Sequence, residues 1–446
     1  MKRLVDEQLV TWSSSSDRKP LLLFGARQVG KTYALKQLGK QAFDSYVHVD
    51  FSKDASAAHI FDGSLEPSRL VRAIEAYSRT TIMPKHTLLI LDEIQLCERA
   101  LTSLKYFCED APEYAVACAG SLLGVKLRER GSFPVGKVDM LSMHPMSFEE
   151  YLWACGDGRM SDLIAEHALT LDAFPFHEEA FRRYRQYLLV GGMPDVVKRF
   201  VSHQGSGSFT AYEEVRNKQE EIDQAYIADI AKHAPDNLVP RIIEVWRSVP
   251  SQIAKENSKF QYKVIRNGGR ASMFEEPVAW LVAAAIVSKC TRVTDAIAPL
   301  GSFEDAASFK LYRADTGLMA ASLQALPSDV EPQQGKSSIF RGALAESYLM
   351  QQLVSADVQP FYWGTPSKQE VDFIGRSKEG DVIPIEVKSG DNVRSNSLEL
   401  YRRKYEPPYV VRFSTKNFGE EKFTRSLPLY AASYYAKNLL PSPLFV

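Results

Sequence analysis

Short apolar runs alternate with spacers of helical length over the first 145 residues. Residues 21–24 (Leu-Leu-Leu-Phe) are apolar without a break. Residues 46–51 alternate, with Val47 and Val49 at the apolar positions, 87–91 and 114–119 are apolar again, and 138–141 follows, apolar but for Asp139. Runs that are apolar on both faces suit strands buried between helix layers. The pattern therefore predicts a parallel α/β sheet over residues 1–145. Residues 145–201 turn helical, and Ser147-Phe148-Glu149-Glu150 has the character of a helix start. Residues 202–208 read as a linker. Residues 222–288 are mainly helical again, and 292–293 and 309–312 look like a small hairpin behind them. Helices followed by a hairpin predict a winged helix. Residues 327–338 read as a second linker by composition, and mixed α/β follows. The expected division is 1–145, 146–205 (helical), 209–326 (winged-helix-like) and 336–446, with no internal repeat.

Composition narrows the class without changing this picture. The 446 residues are 45% hydrophobic and 24% charged, ordinary for a globular chain and enough for about three domains. Lys and Arg number 54 against 55 Asp and Glu. No global basic field holds nucleic acid, so such binding requires a local patch. Five cysteines without a CxxC pair argue against a disulfide framework or a zinc ribbon and for free thiols in a reducing compartment. The longest apolar run, 278–287, is half of what a membrane span needs. The N-terminus reads as a short amphipathic helix rather than a signal core. A cytoplasmic protein without a membrane partner is expected.

The first candidate chemistry is Gly25-Ala26-Arg27-Gln28-Val29-Gly30-Lys31-Thr32, which fits GxxxxGK[ST]. An apolar strand precedes it, and a helical pattern opens at Thr32. Gly25 and Gly30 allow the backbone to wrap closely around phosphates, and loop N–H groups point at the anion. Lys31 would reach the β and γ phosphates of ATP, and the Thr32 hydroxyl would ligate Mg²⁺. The partner motif is Leu88-Leu89-Ile90-Leu91-Asp92-Glu93. Its acids stand at the C-terminal end of a strand, where parallel sheets bind ligands. Asp92 would hold Mg²⁺ through water, and Glu93 would polarise the attacking water. The strand at 114–119 ends in Gly120-Ser121, and Ser121 is a candidate contact for the γ-phosphate or that water.

Residues 23–32, Leu91-Asp92-Glu93-Ile94-Gln95, Gly120-Ser121 and 145–150 resemble a widespread group of prokaryotic AAA-type P-loop ATPases. Members pair the ATPase with a C-terminal domain of unknown function. The resemblance implies an additional-strand P-loop fold, then a helical segment and a winged helix. Gly191-Gly192-Met193-Pro194 looks like the Gly-x-Pro signature of related signalling-type ATPases. That likeness implies that Pro194 packs near the adenine, and a helix-terminating turn is the plain alternative. No arginine finger is identified, although Arg128 and Arg130 follow the sensor strand.

The second candidate chemistry is C-terminal. Residues 341–349 read as a helix carrying Glu346. Glu370-Val371-Asp372-Phe373 and Ile385-Glu386-Val387-Lys388 read as strands. Glu386 and Lys388 are two apart and share a face, and Asp372 opposes the apolar face of Val371 and Phe373. Two adjacent strands can thus present Asp372, Glu386 and Lys388 together. Two carboxylates can bind Mg²⁺ or Mn²⁺, and a lysine beside them can orient water. This resembles the PD-(D/E)xK nuclease fold, with the order helix, strand, strand, strand, helix, strand. Glu346 then matches the helical acid, Asp372 the strand acid, and Glu386 and Lys388 the D/E-x-K pair. The proline of the name is replaced by Val371. The fold class expected overall is α/β: a P-loop NTPase sheet, a helical and winged-helix region, and a nuclease-like domain.

Local charge supports DNA modestly. Lys255, Lys259, Lys263, Arg266 and Arg270 count against one acid, Glu256, and nine basic against five acidic residues lie between Lys388 and Arg425. Phe260 and Tyr262 read as core rather than as base-stacking platforms. Two functions stand. One is a Mg²⁺-dependent ATPase coupled to a DNA-directed nuclease-like domain. The other is an ATP-gated switch whose nuclease-like domain is an idle clamp for DNA, a protein partner or a second copy of the chain.

Overall fold

The computed structural model describes residues 1–121, 124–125, 136–203, 208–255, 259–331, 338–365, 369–390 and 396–441. Arg128, Arg130 and Glu256, with residues 204–207 of the first expected linker and 332–337 of the second, lie outside the described residues. The chain forms two compact units. One is Lys2–His144 with Ala283–Ala285, and the other is Pro145–Val282 with Ile286–Pro443.

The first unit holds helices α1 (Val5–Ser14), α2 (Lys31–Ala42), α3 (Pro67–Ser78) and α4 (Glu98–Asp110). Its strands are β1 (Leu21–Phe24), β2 (Ser45–Asp50), β3 (Thr87–Asp92), β4 (Ala115–Ala119) and β5 (Asp139–Ser142). All five strands are parallel, in the order β2-β3-β4-β1-β5. This is the P-loop NTPase arrangement, with one strand, β4, inserted between β1 and β3. The continuous apolar runs have the expected consequence: β3 and β4 are buried along their whole length. One sheet face packs Leu22, Val49, Leu89 and Val116 with Leu70, Ile74 and Leu104 of α3 and α4. Each such side chain contributes about 1.5–3 kcal/mol by leaving water.

The second unit carries α5 (Phe148–Ala154), α6 (Gly158–Thr170), α7 (His177–Val190), α8 (Pro194–His203), α9 (Ser208–His233), α10 (Val239–Ile253), α11 (Ala271–Ala283), α12 (Thr316–Ser322), α13 (Ser338–Ser355), α14 (Asn396–Tyr405) and α15 (Ala432–Ala436). The helix start at Ser147 is a complete capping box with Glu150, which satisfies two end-of-helix N–H groups. Strands β6 (Val287–Val293), β7 (Glu304–Arg313), β8 (Phe361–Gly364), β9 (Glu370–Arg376), β10 (Val382–Val387), β11 (Val410–Ser414), β12 (Gly419–Glu421) and β13 (Thr424–Pro428) form one sheet. Their order is β12-β13-β11-β10-β9-β8-β6-β7.

The hairpin expected as the wing of a winged helix is β6-β7, and it belongs to this larger sheet. β6 pairs antiparallel with β7 and parallel with β8, Thr291 facing Phe361 and Val293 facing Trp363. A hairpin leaves one edge of each strand unpaired, and β8 satisfies the free edge of β6. The sheet therefore runs across the expected division between 209–326 and 336–446. The second expected linker includes a helical turn at Pro327–Val330. No helix among the described residues is long and apolar enough to cross a membrane, and the five cysteines are free thiols.

Candidate functional site

In the first unit, register brings the two phosphate-site motifs level. Leu23 of β1 and Asp92 of β3 both face Ala119 of β4. The loop after β1, the acids after β3 and Ser121 after β4 therefore emerge side by side from the C-terminal edge of the sheet. Gly25 has φ +138°, and a Cβ there would lie 2.0 Å from the Met143 carbonyl oxygen. Gly30, with φ +100°, opens α2. Both glycines are thus demanded by the loop. Lys31 is buried, and its Nζ donates to the carbonyls of Gly25 at 2.8 Å and Ala26 at 2.7 Å. Burial lowers its pKa to about 8, against the opposing pull of Glu93 and Asp92.

Asp92 is buried. Its Oδ1 accepts from the Glu93 N–H at 3.1 Å, and its Oδ2 lies 3.1 Å from His48 Nε2. Glu93 sits at φ +52°, a left-handed turn that a non-glycine residue adopts rarely. Its Oε2 accepts from Ser121 Oγ at 3.0 Å and from Gln95 Nε2. Ser121 was expected to reach a phosphate or the attacking water, and in the structure its hydroxyl reaches Glu93.

Two contributors escape motif reading. His48 and Asp50, at the polar positions of β2, stand with Asp92 so that one ligand atom from each lies within 4.8 Å of the others. The alternation of β2 places them on one face, which was the available signal. Arg3 is buried, and it donates to Val29 O of the phosphate loop at 2.8 Å and to His144 O at 2.7 Å. No local pattern marks it.

In the second unit, α13, β8, β9, β10, α14 and β11 follow in the order that the C-terminal motifs lead one to expect. Phe373 faces Ile385 across β9 and β10, so Asp372 and Glu386 are the next pair along. Asp372 Oδ2 accepts from the Val387 N–H at 2.8 Å. Burial, with Glu386 and Glu346 adding to it, pushes the Asp372 carboxyl well above the usual carboxylate range. Glu386 is 3% exposed, and its Oε1 contacts Lys388 Nζ at 2.6 Å. Its Oε2 is buried with no hydrogen-bond partner among the described residues. Burial works against the Lys388 ammonium, and Glu386, Asp372 and Glu346 more than offset it. Glu346 on α13 accepts from the Tyr312 hydroxyl at 3.0 Å and lies 3.5 Å from Lys310 Nζ. Glu346, Asp372 and Glu386 are not drawn together as tightly as the group at His48.

Gly191 and Gly192 are explained within the second unit. The Gly192 N–H donates to Asp315 Oδ2 at 2.6 Å, and a Cβ on Gly192 would lie 2.1 Å from Met146 O. Pro194 opens α8. Of the basic groups, Arg266 pairs with Glu244, and Lys259 donates to Ser308. Arg402 and Arg403 pair with Glu399, Lys404 with Asp295, and Arg425 with Glu420. Phe260 is buried and stacks on Phe309.

Residues 17–152 match the family model described as an AAA domain. This part of the chain is an AAA-type P-loop domain. Residues 181–329 match a domain of unknown function (DUF8612), and 341–432 match another (DUF4143). Among solved structures, the Walker-type ATPase PABY2304 of Pyrococcus abyssi is similar at 13% identity and TM-score 0.46, covering 72% of this chain and 95% of its own. Cdc6p from Pyrobaculum aerophilum is similar at 13% identity and TM-score 0.29, covering 65% and 88%. Drosophila ORC bound to DNA is similar at 11% identity and TM-score 0.28, covering 72% and 86%. No curated protein matches the chain.

Proposed function

We propose that the chain binds ATP with Mg²⁺ in its AAA-type domain and hydrolyses it, and that the second unit carries a PD-(D/E)xK nuclease-like metal site directed at DNA. The observation that carries the first part is the Glu93 carboxylate, held by Ser121 and Gln95 immediately after the buried Asp92. The donor set fits a hard cation, since Thr32 and Asp92 offer oxygens beside a loop that tolerates no Cβ at Gly25. Bound Mg²⁺ would supply charge neutralisation at the β and γ phosphates. Gly25 and Gly30 shape the cradle, Lys31 offsets phosphate charge, and Glu93 polarises water.

In the second unit, the buried Glu386 Oε2, which has no hydrogen-bond partner among the described residues, fits a cation ligand. Asp372 and Glu386 are the proposed ligands for Mg²⁺ or Mn²⁺, with Glu346 as a further nearby carboxylate. Such an ion would stabilise a phosphoryl oxygen and activate water. Lys388, on Glu386, would orient that water. The basic side chains engaged in ion pairs favour the alternative, an ATP-gated switch with an idle clamp.

The experiment compares wild type and Lys388→Ala on single- and double-stranded DNA, with Mg²⁺ or Mn²⁺, with and without ATP. Cleavage by wild type alone supports the nuclease reading. Equal cleavage by both proteins indicates a contaminant. No cleavage with ATP-dependent DNA or partner binding intact selects the switch. Because the sheet crosses residue 336, the full chain is the proper material for this test.

A further inference from the structure

The carboxylate cluster contains a buried cation from outside its own motifs. Lys310 lies on β7 and is 0% exposed. Its Nζ stands 2.6 Å from Glu370 Oε1 and 3.5 Å from Glu346 Oε2. Tyr312, two residues on and therefore on the same face of β7, donates to the same Glu346 oxygen at 3.0 Å. The ring of Tyr362 lies 5.2 Å from the ammonium. A lysine is buried at high cost unless carboxylates neutralise it, and here two do.

The other end of the cluster is differently served. Asp372 takes one backbone N–H. Glu386 binds Lys388 through Oε1 and leaves Oε2 buried, with no hydrogen-bond partner among the described residues. Glu346, Glu370, Asp372 and Glu386 are thus four carboxylates against two ammonium groups, Lys310 and Lys388, and when all are ionised a charge of −2 is left. That charge divides evenly, −1 over Glu346 and Glu370 beside Lys310 and −1 over Asp372 and Glu386 beside Lys388, and it is the second pair that holds a buried oxygen with no hydrogen-bond partner among the described residues.

We propose that this is a one-ion site, in which Lys310 is a built-in cation for Glu346 and Glu370, and Asp372 and Glu386 hold a single divalent ion. The inference rests on the reading of the cluster as a metal site. It makes Lys310 a positioning residue and makes Glu346 its partner rather than a metal ligand. A second ion between Glu346 and Glu370 would have to displace an ammonium that is sealed in by the Tyr362 ring.

The test counts Mn²⁺ bound per full-length, nucleotide-free chain, by equilibrium dialysis and by the loss of the free-ion electron paramagnetic resonance signal. Any ion at the His48 group contributes equally to every variant. Relative to wild type, Asp372→Asn is expected to bind one ion fewer, Lys310→Met one more, and Lys310→Arg the same number. Glu370→Gln is expected to match wild type, because that carboxylate serves Lys310, and it decides the matter if Lys310→Met does not fold. The wild-type count in folded Lys310→Met, or loss of an ion in Glu370→Gln, overturns the one-ion site. An unchanged count in Asp372→Asn overturns instead the metal reading beneath it.

Discussion

Ser121 Oγ donates to Glu93 Oε2 across 3.0 Å, tying the end of β4 to the acid that follows β3. The bond fixes where the Glu93 carboxylate points without touching the nucleotide pocket's own anchors. Ser121→Ala should therefore slow ATP turnover by about tenfold, the loss of roughly one charge-assisted hydrogen bond, with ATP affinity little changed. Steady-state phosphate release beside a nucleotide titration checks this. A variant that loses affinity and keeps its turnover rate would place Ser121 on the nucleotide instead.

Arg3 braces the phosphate loop from outside any motif. Removing it takes a donor from the Val29 carbonyl in a buried place and from the His144 carbonyl in a part-buried one. Arg3→Ala should destabilise the first unit by about 2–4 kcal/mol and weaken ATP binding. Arg3→Lys should not restore it, because a single ammonium lacks the planar fork that serves two acceptors. Thermal melting with and without ATP reads both effects.

Asp315 gives the second unit a pH dependence of definite sign. It accepts from the Gly192 and Leu318 N–H groups, and burial outweighs them to raise its carboxyl to about 6. The unfolded chain titrates near 3.9. The folded state therefore holds its proton more tightly between these values. The stability linked to that proton is full below about pH 4 and is lost as pH rises through about 6, up to about 3 kcal/mol. The stability advantage of wild type over Asp315→Asn should shrink with rising pH across this window. A difference in Tm that stays constant from pH 4 to 7 would refute it.

Motif and strand were legible together wherever the chemistry is local. The run Leu21–Phe24, the glycines and Lys31 lie within a dozen residues, and Asp92 and Glu93 end a strand buried along its length. The antiparallel pairing that sets Asp372 opposite Glu386 was legible for the same reason, since a short hairpin joins their strands. What was not legible arrives by long-range pairing. His48 and Asp92 are 44 residues apart, and only the β2-β3 register joins them. Lys310 and Glu346 are 36 apart, across a stretch that reads as a linker by composition. That composition concealed the pairing of β6 with β8, because polar turn residues look alike whether they separate domains or connect strands of one sheet.

Phosphate release from ATP and Mg²⁺ by the full chain tests most directly whether Lys31, Asp92 and Glu93 form a hydrolysing site. Wild type is expected to turn over ATP. Glu93→Gln should bind ATP with near wild-type affinity and release phosphate about 10²–10⁴-fold more slowly, because the cation ligands remain while water activation is lost. Lys31→Ala should lose binding itself. Equal turnover by wild type and Glu93→Gln, with ATP binding intact in both, would contradict the assignment.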